Sequence, residues 1–160
     1  MRITCDAKYP KIAKEIQDSL RVIFPKNKVS VVPRTVTYFD ISVYSNQLNT
    51  FMPWTVGAGS KAKQNARVPQ WIREDVLFVK QCLKGLIQTD GCIYEDRGYK
   101  MVNFTNNNEA LAEDAHNMLL QIGFRPSFMK VSIGQGRYKY TTRIARDTEK
   151  LIKELALYKA

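Results

Sequence analysis

The nine residues Leu83-Lys84-Gly85-Leu86-Ile87-Gln88-Thr89-Asp90-Gly91 decide how this chain folds. They close a segment, from about Pro69 to Gly91, in which Val76, Val79, Leu83, Leu86 and Ile87 recur at helical spacing. One long helix with a single apolar stripe is expected, with Glu74 and Asp75 in its first turn, where the helix dipole favours carboxylates. Two residues of the string do not suit a plain core helix. Gly85 stands mid-helix, where glycine costs ~1 kcal/mol against alanine. With Cys82 and Thr89 it makes a second face of small side chains, which allows another helix backbone to approach closely. Asp90 ends the helix, where unsatisfied carbonyls already make the potential negative. Either Asp90 starts the turn into the next strand, or a cation compensates it. Its carboxylate together with the Thr89 and Gly91 carbonyls is an oxygen set that suits Mg²⁺ or Mn²⁺.

Downstream of this helix, residues 92–105 read as a hairpin turning near Asp96–Gly98. A helix over 108–122 follows, with Leu111, Ala115, Met118, Leu119 and Ile122 inward. Strands over 127–133 and 137–144 flank the Gly134–Gly136 turn, and a helix over 147–157 carries Leu151, Ile152 and Leu155. The order is αββαββα. Upstream lies a loop, 57–67. Before it come a short strand in the opening residues and a helix over 10–24 with Ile12, Ile16, Leu20 and Ile23 inward. Two strands follow over 28–32 and 35–44, separated by Pro33, and then a short helix capped by Ser45. That order is βαββα, the same pattern without its opening helix and strand. "RITCDAKYPKIAKEIQDSL" echoes "NFTNNNEALAEDAHNML" about 100 residues later, as an internal repeat would. The expected fold is α+β with antiparallel sheets, residues 1–66 forming a truncated repeat and 67–160 a full one.

The formal net charge of +10 on 160 residues points to a polyanionic partner. Residues 1–71 carry 11 basic and 4 acidic groups and residues 72–160 carry 14 and 11, so the charge belongs to folded elements rather than to a tail. Three cysteines without tight spacing argue against a disulfide framework and for a reducing compartment. The one histidine, His116, makes a zinc site or Ser-His-Asp catalysis improbable and is read as structural. No apolar run reaches the ~18 residues of a membrane span. Asp6, Lys8 and Lys11 interrupt any leader, so an intracellular, unsecreted protein without a membrane partner is expected. Strand alternation collects Arg137, Lys139 and Arg143 on one face of 137–144, opposite Tyr138, Tyr140 and Ile144. Lys130 joins them as a candidate nucleic-acid contact, with Lys100, with Arg97 at a hairpin tip, and with Lys28 and Arg34 in the N-terminal repeat. A basic sheet face of this kind suits the major groove of double-stranded DNA.

"LKGLIQTDG" resembles the LAGLIDADG motif that names a family of homing endonucleases, with Gln88 in place of the motif's first Asp. The likeness extends through "RVPQWIREDVLFVKQCLKGLIQTDGCI", which is similar to the approach to the second motif of two-motif, intein-type members, and through "VNFTNNNEALAEDAHNMLLQIGF". It implies two αββαββα units about a pseudo-twofold axis, with saddle-shaped antiparallel sheets over DNA. It also implies metal-dependent cleavage of double-stranded DNA, with Asp90 as metal ligand and Mg²⁺ or Mn²⁺ as cofactor. Relatives often carry a lysine three residues before the proline of the "VP" element. Here that position is Ala66, which leaves Lys61, Lys63 and Arg67 as candidate assisting cations. Only one motif is present, so the resemblance implies a homodimer, a partner chain that supplies the missing motif helix, or a catalytically degenerate DNA- or intron-RNA-binding relative.

Overall fold

The computed structural model of the chain describes residues 1–55 and 57–159, Phe51 by its backbone alone. The chain divides into two compact units, Met1–Gly57 and Ala58–Ala160.

The first unit contains β1 (Arg2–Asp6), α1 (Pro10–Ile23), β2 (Ser30–Pro33), β3 (Tyr38–Ser42) and the single-turn α2 (Leu48–Phe51). Its sheet has the order β1-β3-β2 and is antiparallel throughout. Cys5 and Ile41, with Ile3 and Phe39 beside them, turn one face of the sheet toward Ala13, Leu20 and Phe24. Ile23, expected inside, is exposed. The helix ends at that residue, and Phe24, whose N–H bonds to the Leu20 carbonyl, takes the core position. Pro33 does not precede a second long strand. It closes the edge strand β2 opposite Phe39, a position where a missing N–H is tolerated. Thr35 begins the turn instead, because its Oγ1 accepts the N–H groups of Thr37 and Tyr38. Ser45 serves the turn before α2 by accepting the Gln47 N–H, and Gln47 holds the cap position.

The second unit contains α3 (Gln70–Arg73), α4 (Val76–Asp90), β4 (Gly91–Asp96), β5 (Tyr99–Asn106), α5 (Glu109–Gln121), β6 (Ser127–Ser132), β7 (Tyr138–Ile144) and α6 (Thr148–Glu154). The antiparallel sheet has the order β4-β5-β7-β6. The helix expected from Pro69 is two helices. Asp75 has extended backbone, and its carboxylate accepts the N–H groups of Leu77 at 2.7 Å and Phe78 at 3.3 Å. Asp75 is therefore an N-cap that starts α4, because capping two orphan donors outweighs continuing the turn. Val76 falls outside the stripe and is exposed, while Val79, Leu83 and Ile87 are buried against Val102, Phe104, Ala115, Met118 and Leu151. α6 stops at Glu154. Ala156 then takes a left-handed conformation (φ 47°), and Leu157 returns its N–H to Ile152.

The repeat read from sequence has a topological counterpart. β1-α1-β2-β3 and β5-α5-β6-β7 follow the same order, and their strands form the same β1-β3-β2 and β5-β7-β6 arrangement. The first unit has no element corresponding to α4 and β4 among the described residues.

Candidate functional site

The end of α4 is built around a close approach. A Cβ on Gly91 would stand 2.6 Å from the Ile87 carbonyl oxygen, 2.7 Å from that of Asn103 and 2.8 Å from the Ile87 Cα. Only glycine lets the helix pass directly into β4 at this point. Asp90, immediately before it, is exposed, and its Oδ2 accepts a hydrogen bond from Asn106 Nδ2 at 3.2 Å. Thr89 turns its hydroxyl back to the Gly85 carbonyl at 2.9 Å, so its own contribution at the helix end is its backbone carbonyl. That carbonyl and the carbonyl of Gly91 accept from Lys159 Nζ at 3.1 and 2.8 Å. Gln88 is buried and accepts the N–H of Tyr158 at 3.0 Å.

A chain of amide contacts links Asp90 to the segment before α3. Asn106 also accepts the N–H of Asn108 at 2.9 Å, and Asn108 donates to the Ala66 carbonyl at 2.6 Å. Val68 donates its N–H to the buried Asp114 at 2.8 Å. Lys61 and Lys63 are exposed in the turns that lead into this anchored stretch. Arg67 is different. Its guanidinium lies 3.0 Å from Asp114 and 3.2 Å from Glu113, with Arg73 3.9 Å from the same Asp114. A carboxylate 1% exposed needs that charge. Arg67 thus serves as a counter-ion of Asp114.

The face of the second sheet away from the core is set by cross-strand register. Asn103 stands opposite Arg143 and Cys92, Thr105 opposite Thr141, and Met101 opposite Tyr94. These groups interlock. Asn103 donates to the Tyr94 hydroxyl at 3.2 Å and accepts from Arg143 Nε at 3.2 Å, while the Thr105 and Thr141 hydroxyls lie 2.9 Å apart. Lys139 shares this face through its place opposite Val131. Arg97 and Arg137 sit at exposed hairpin tips, Arg97 in left-handed backbone (φ 51°) and Arg137 bonded to Gln135 at 2.9 Å.

Two candidates belong to the opposite face. Lys130 pairs in register with the buried Tyr140, lies over the Tyr138 and Tyr140 rings and is 3.6 Å from Glu109 of α5. Lys100 has the parity of Val102 and Phe104 and contacts Glu149 of α6 at 2.7 Å. Both lysines thus engage carboxylates of the helices packed on that face. In the first unit, Lys28 is exposed ahead of β2, whereas Arg34 is committed to Asp40 at 2.6 Å. The Arg34 hydrogen bond, followed by that from Thr4, holds the Asp40 carboxyl below its ordinary range. Sequence reading missed Tyr94, Asn103 and Thr105. The alternation of β5 carried that signal, but only pairing with Arg143 shows the three as one surface.

Residues 78–155 match the family described as the LAGLIDADG-like domain. That segment is a LAGLIDADG-like domain. The chain's fold is that of the homing endonuclease I-DmoI in complex with DNA and Mn, with a TM-score of 0.68 at 21% identity over 97% of this chain and 79% of that one. The N-terminal LAGLIDADG domain of DUF199/WhiA gives 0.63 at 12% identity, covering 98% and 72%. The meganuclease I-SmaMI bound to uncleaveable DNA gives 0.53 at 11%, covering 98% and 73%. No curated protein matches the sequence significantly.

On the LAGLIDADG helix α4, the three small residues do not share one surface. Cys82 packs against the unit's own core, and burial, with the Asp114 charge behind it, pushes its thiol up to about 11. Gly85 and Thr89 face outward, and a Cβ on Gly85 would meet nothing within 4 Å. The outward surface continues from Gly85 to Phe78, whose ring meets Trp71 edge to face at 5.5 Å. The oxygens of Asp90 and Thr89 fit a hard divalent cation in kind. In number they are few: no group of three or more His, Cys, Asp and Glu side chains gathers among the described residues. Among those residues, too, no helix is long and apolar enough to cross a membrane.

Proposed function

We propose that this LAGLIDADG-like chain is a metal-dependent, sequence-specific double-stranded DNA endonuclease of homing type, acting as a dimer or with a partner half. One observation carries the reading: an exposed carboxylate, Asp90, held by Asn106 at the carbonyl end of the motif helix. Asp90 and the Thr89 carbonyl would hold Mg²⁺ or Mn²⁺. When bound, that ion supplies Lewis-acid activation of water and stabilises the departing oxygen. Asn106 engages one carboxylate oxygen, so the orientation of Asp90 is set before a phosphate arrives. Lys61 and Lys63 meet phosphate charge. Arg143 and Asn103, with Tyr94, Thr105 and Lys139 beside them, present donors and acceptors to base edges, while Arg97, Arg137 and Lys28 reach the backbone. Because each chain brings one carboxylate, a second motif helix at the open Gly85 completes the site, most simply from another copy about a twofold axis. The DNA complexes of I-DmoI and I-SmaMI support the same reading.

The test is selection of cleaved duplexes from a randomised DNA library in Mg²⁺, followed by kinetics on the selected site. Asp90→Asn is expected to abolish cleavage while DNA binding persists, and unchanged cleavage rejects the role of Asp90. A second reading, a degenerate DNA- or intron-RNA-binding protein, is favoured by Ala66 at the lysine position and by the commitment of Arg67 to Asp114. Its signature is binding that survives EDTA with no nicking in Mg²⁺ or Mn²⁺.

A further inference from the structure

After α6 the polypeptide turns back along the LAGLIDADG helix. The left-handed Ala156 redirects it, and Leu157 is buried in the core of the second unit. Tyr158 then donates its N–H to Gln88 Oε1 at 3.0 Å, and its ring lies 4.9 Å from Lys84 Nζ. Lys159 Nζ donates to the carbonyls of Thr89 at 3.1 Å and Gly91 at 2.8 Å, the residues on either side of Asp90. Each contact has a physical reason. A buried glutamine needs a hydrogen-bond partner, and Gln88 finds it in this segment. The carbonyl end of a helix attracts positive charge, and an ammonium has donors enough for two carbonyls at once.

We infer that Leu157–Lys159 is a strap that seats the Lys159 ammonium in the cation position at the end of α4, and that a divalent ion bound by Asp90 and Thr89 displaces it. This rests on the proposed metal role of Asp90. The Thr89 carbonyl is common to both occupants, and two cations on one carbonyl repel strongly at such short separation. Strap and metal are thus mutually exclusive ligands of one helix end. By linkage, each weakens the other by the same factor. The hold of Gln88 on Tyr158 and of Lys84 on its ring then sets how readily the site opens.

The experiment titrates the full chain with Mn²⁺ at constant ionic strength. Free Mn²⁺ is followed by electron paramagnetic resonance, and hydrogen exchange of the Tyr158 amide is measured in parallel. In the wild type, Tyr158 protection should fall with the same midpoint as Mn²⁺ binding. Lys159→Met should bind Mn²⁺ about tenfold tighter, within the usual range of such couplings. Lys159→Arg, which keeps the charge, should remain near wild type, and Asp90→Asn should lose binding while Tyr158 stays protected. Asp90-dependent binding of equal affinity in wild type and Lys159→Met, with Tyr158 exchange unmoved, overturns the strap and leaves the Asp90 reading standing. Absence of Mn²⁺ binding in both overturns the competition between strap and metal, while the Asp90 reading, whose site a second motif helix completes, stands or falls by the cleavage test of Asp90→Asn.

Discussion

Replacing Gly91 by alanine tests the corner on which the site is built. The added Cβ would meet three backbone atoms at 2.6, 2.7 and 2.8 Å, where ordinary contact begins at 3.4 Å. None of the three is the end of a flexible side chain. Relief requires the last turn of α4 to move away from β5, and Ile87, 2% exposed in the core, resists that movement. Overpacking of this kind costs about 1–3 kcal/mol. The displaced atom includes the Ile87 carbonyl, which accepts the Gly91 N–H, so about 1 kcal/mol more is at stake. A loss of roughly 2–4 kcal/mol is expected, and for a unit of this size each kcal/mol lowers the melting temperature by about 4–8 °C. Gly85→Ala is the internal control. Its Cβ points into open space, and removal of a mid-helix glycine should raise stability by about 1 kcal/mol at protein concentrations low enough to keep the chain monomeric. Denaturant unfolding of both variants beside the wild type is the assay. A Gly91→Ala midpoint equal to wild type, or a shift of the same sign in the two variants, would refute the packing argument.

Gly85→Leu should separate self-association from folding. Sedimentation should show loss of dimer with the Val79, Leu83 and Ile87 core intact, and Mg²⁺ should strengthen the wild-type dimer by screening two neighbouring Asp90 carboxylates; a wild type that stays monomeric with and without Mg²⁺ would count against self-pairing. The thiols should report the sheet face. Cys92 is exposed opposite Asn103, so bound duplex DNA should slow its alkylation, whereas Cys82, with its thiol near 11, should react slowly at pH 8 with or without DNA; equal Cys92 rates in the two conditions would remove DNA from that face. In the first unit, the depressed Asp40 carboxyl contributes stability that is present above the ordinary carboxylate value of about 3.9 and lost as pH falls through its lower folded value. Asp40→Asn should therefore lower stability at neutral pH and flatten its acid dependence, as read by denaturant midpoints at several pH values.

The sequence by itself determined the elements and the motif helix. Val79, Leu83 and Ile87 sit at a spacing that only one helical face satisfies, and Asp90-Gly91 marks the end of that helix. The alternation of Tyr140, Thr142 and Ile144 against Lys139, Thr141 and Arg143 likewise assigned the two sides of β7, because a strand's period is a local property. Asp75 shows a local signal that pattern alone leaves open: dipole and cap both favour an acid there, and its extended backbone decided for the cap.

What only the tertiary structure decided are contacts between residues far apart in the chain. Period-two alternation says that Lys130 and Lys100 each lie on one face of a strand; which face depends on register with the neighbouring strand, and a shift of one residue would reverse it. Arg67 meets Asp114 across 47 positions and Lys159 meets Thr89 across 70, separations at which no periodicity or local propensity constrains either partner. The family resemblance offered Arg67 as a stand-in for the lysine missing at Ala66, and nothing in the sequence singled out Lys159. Folding gives each a partner, because the buried Asp114 takes a counter-ion and the carbonyls at the end of α4 take a donor.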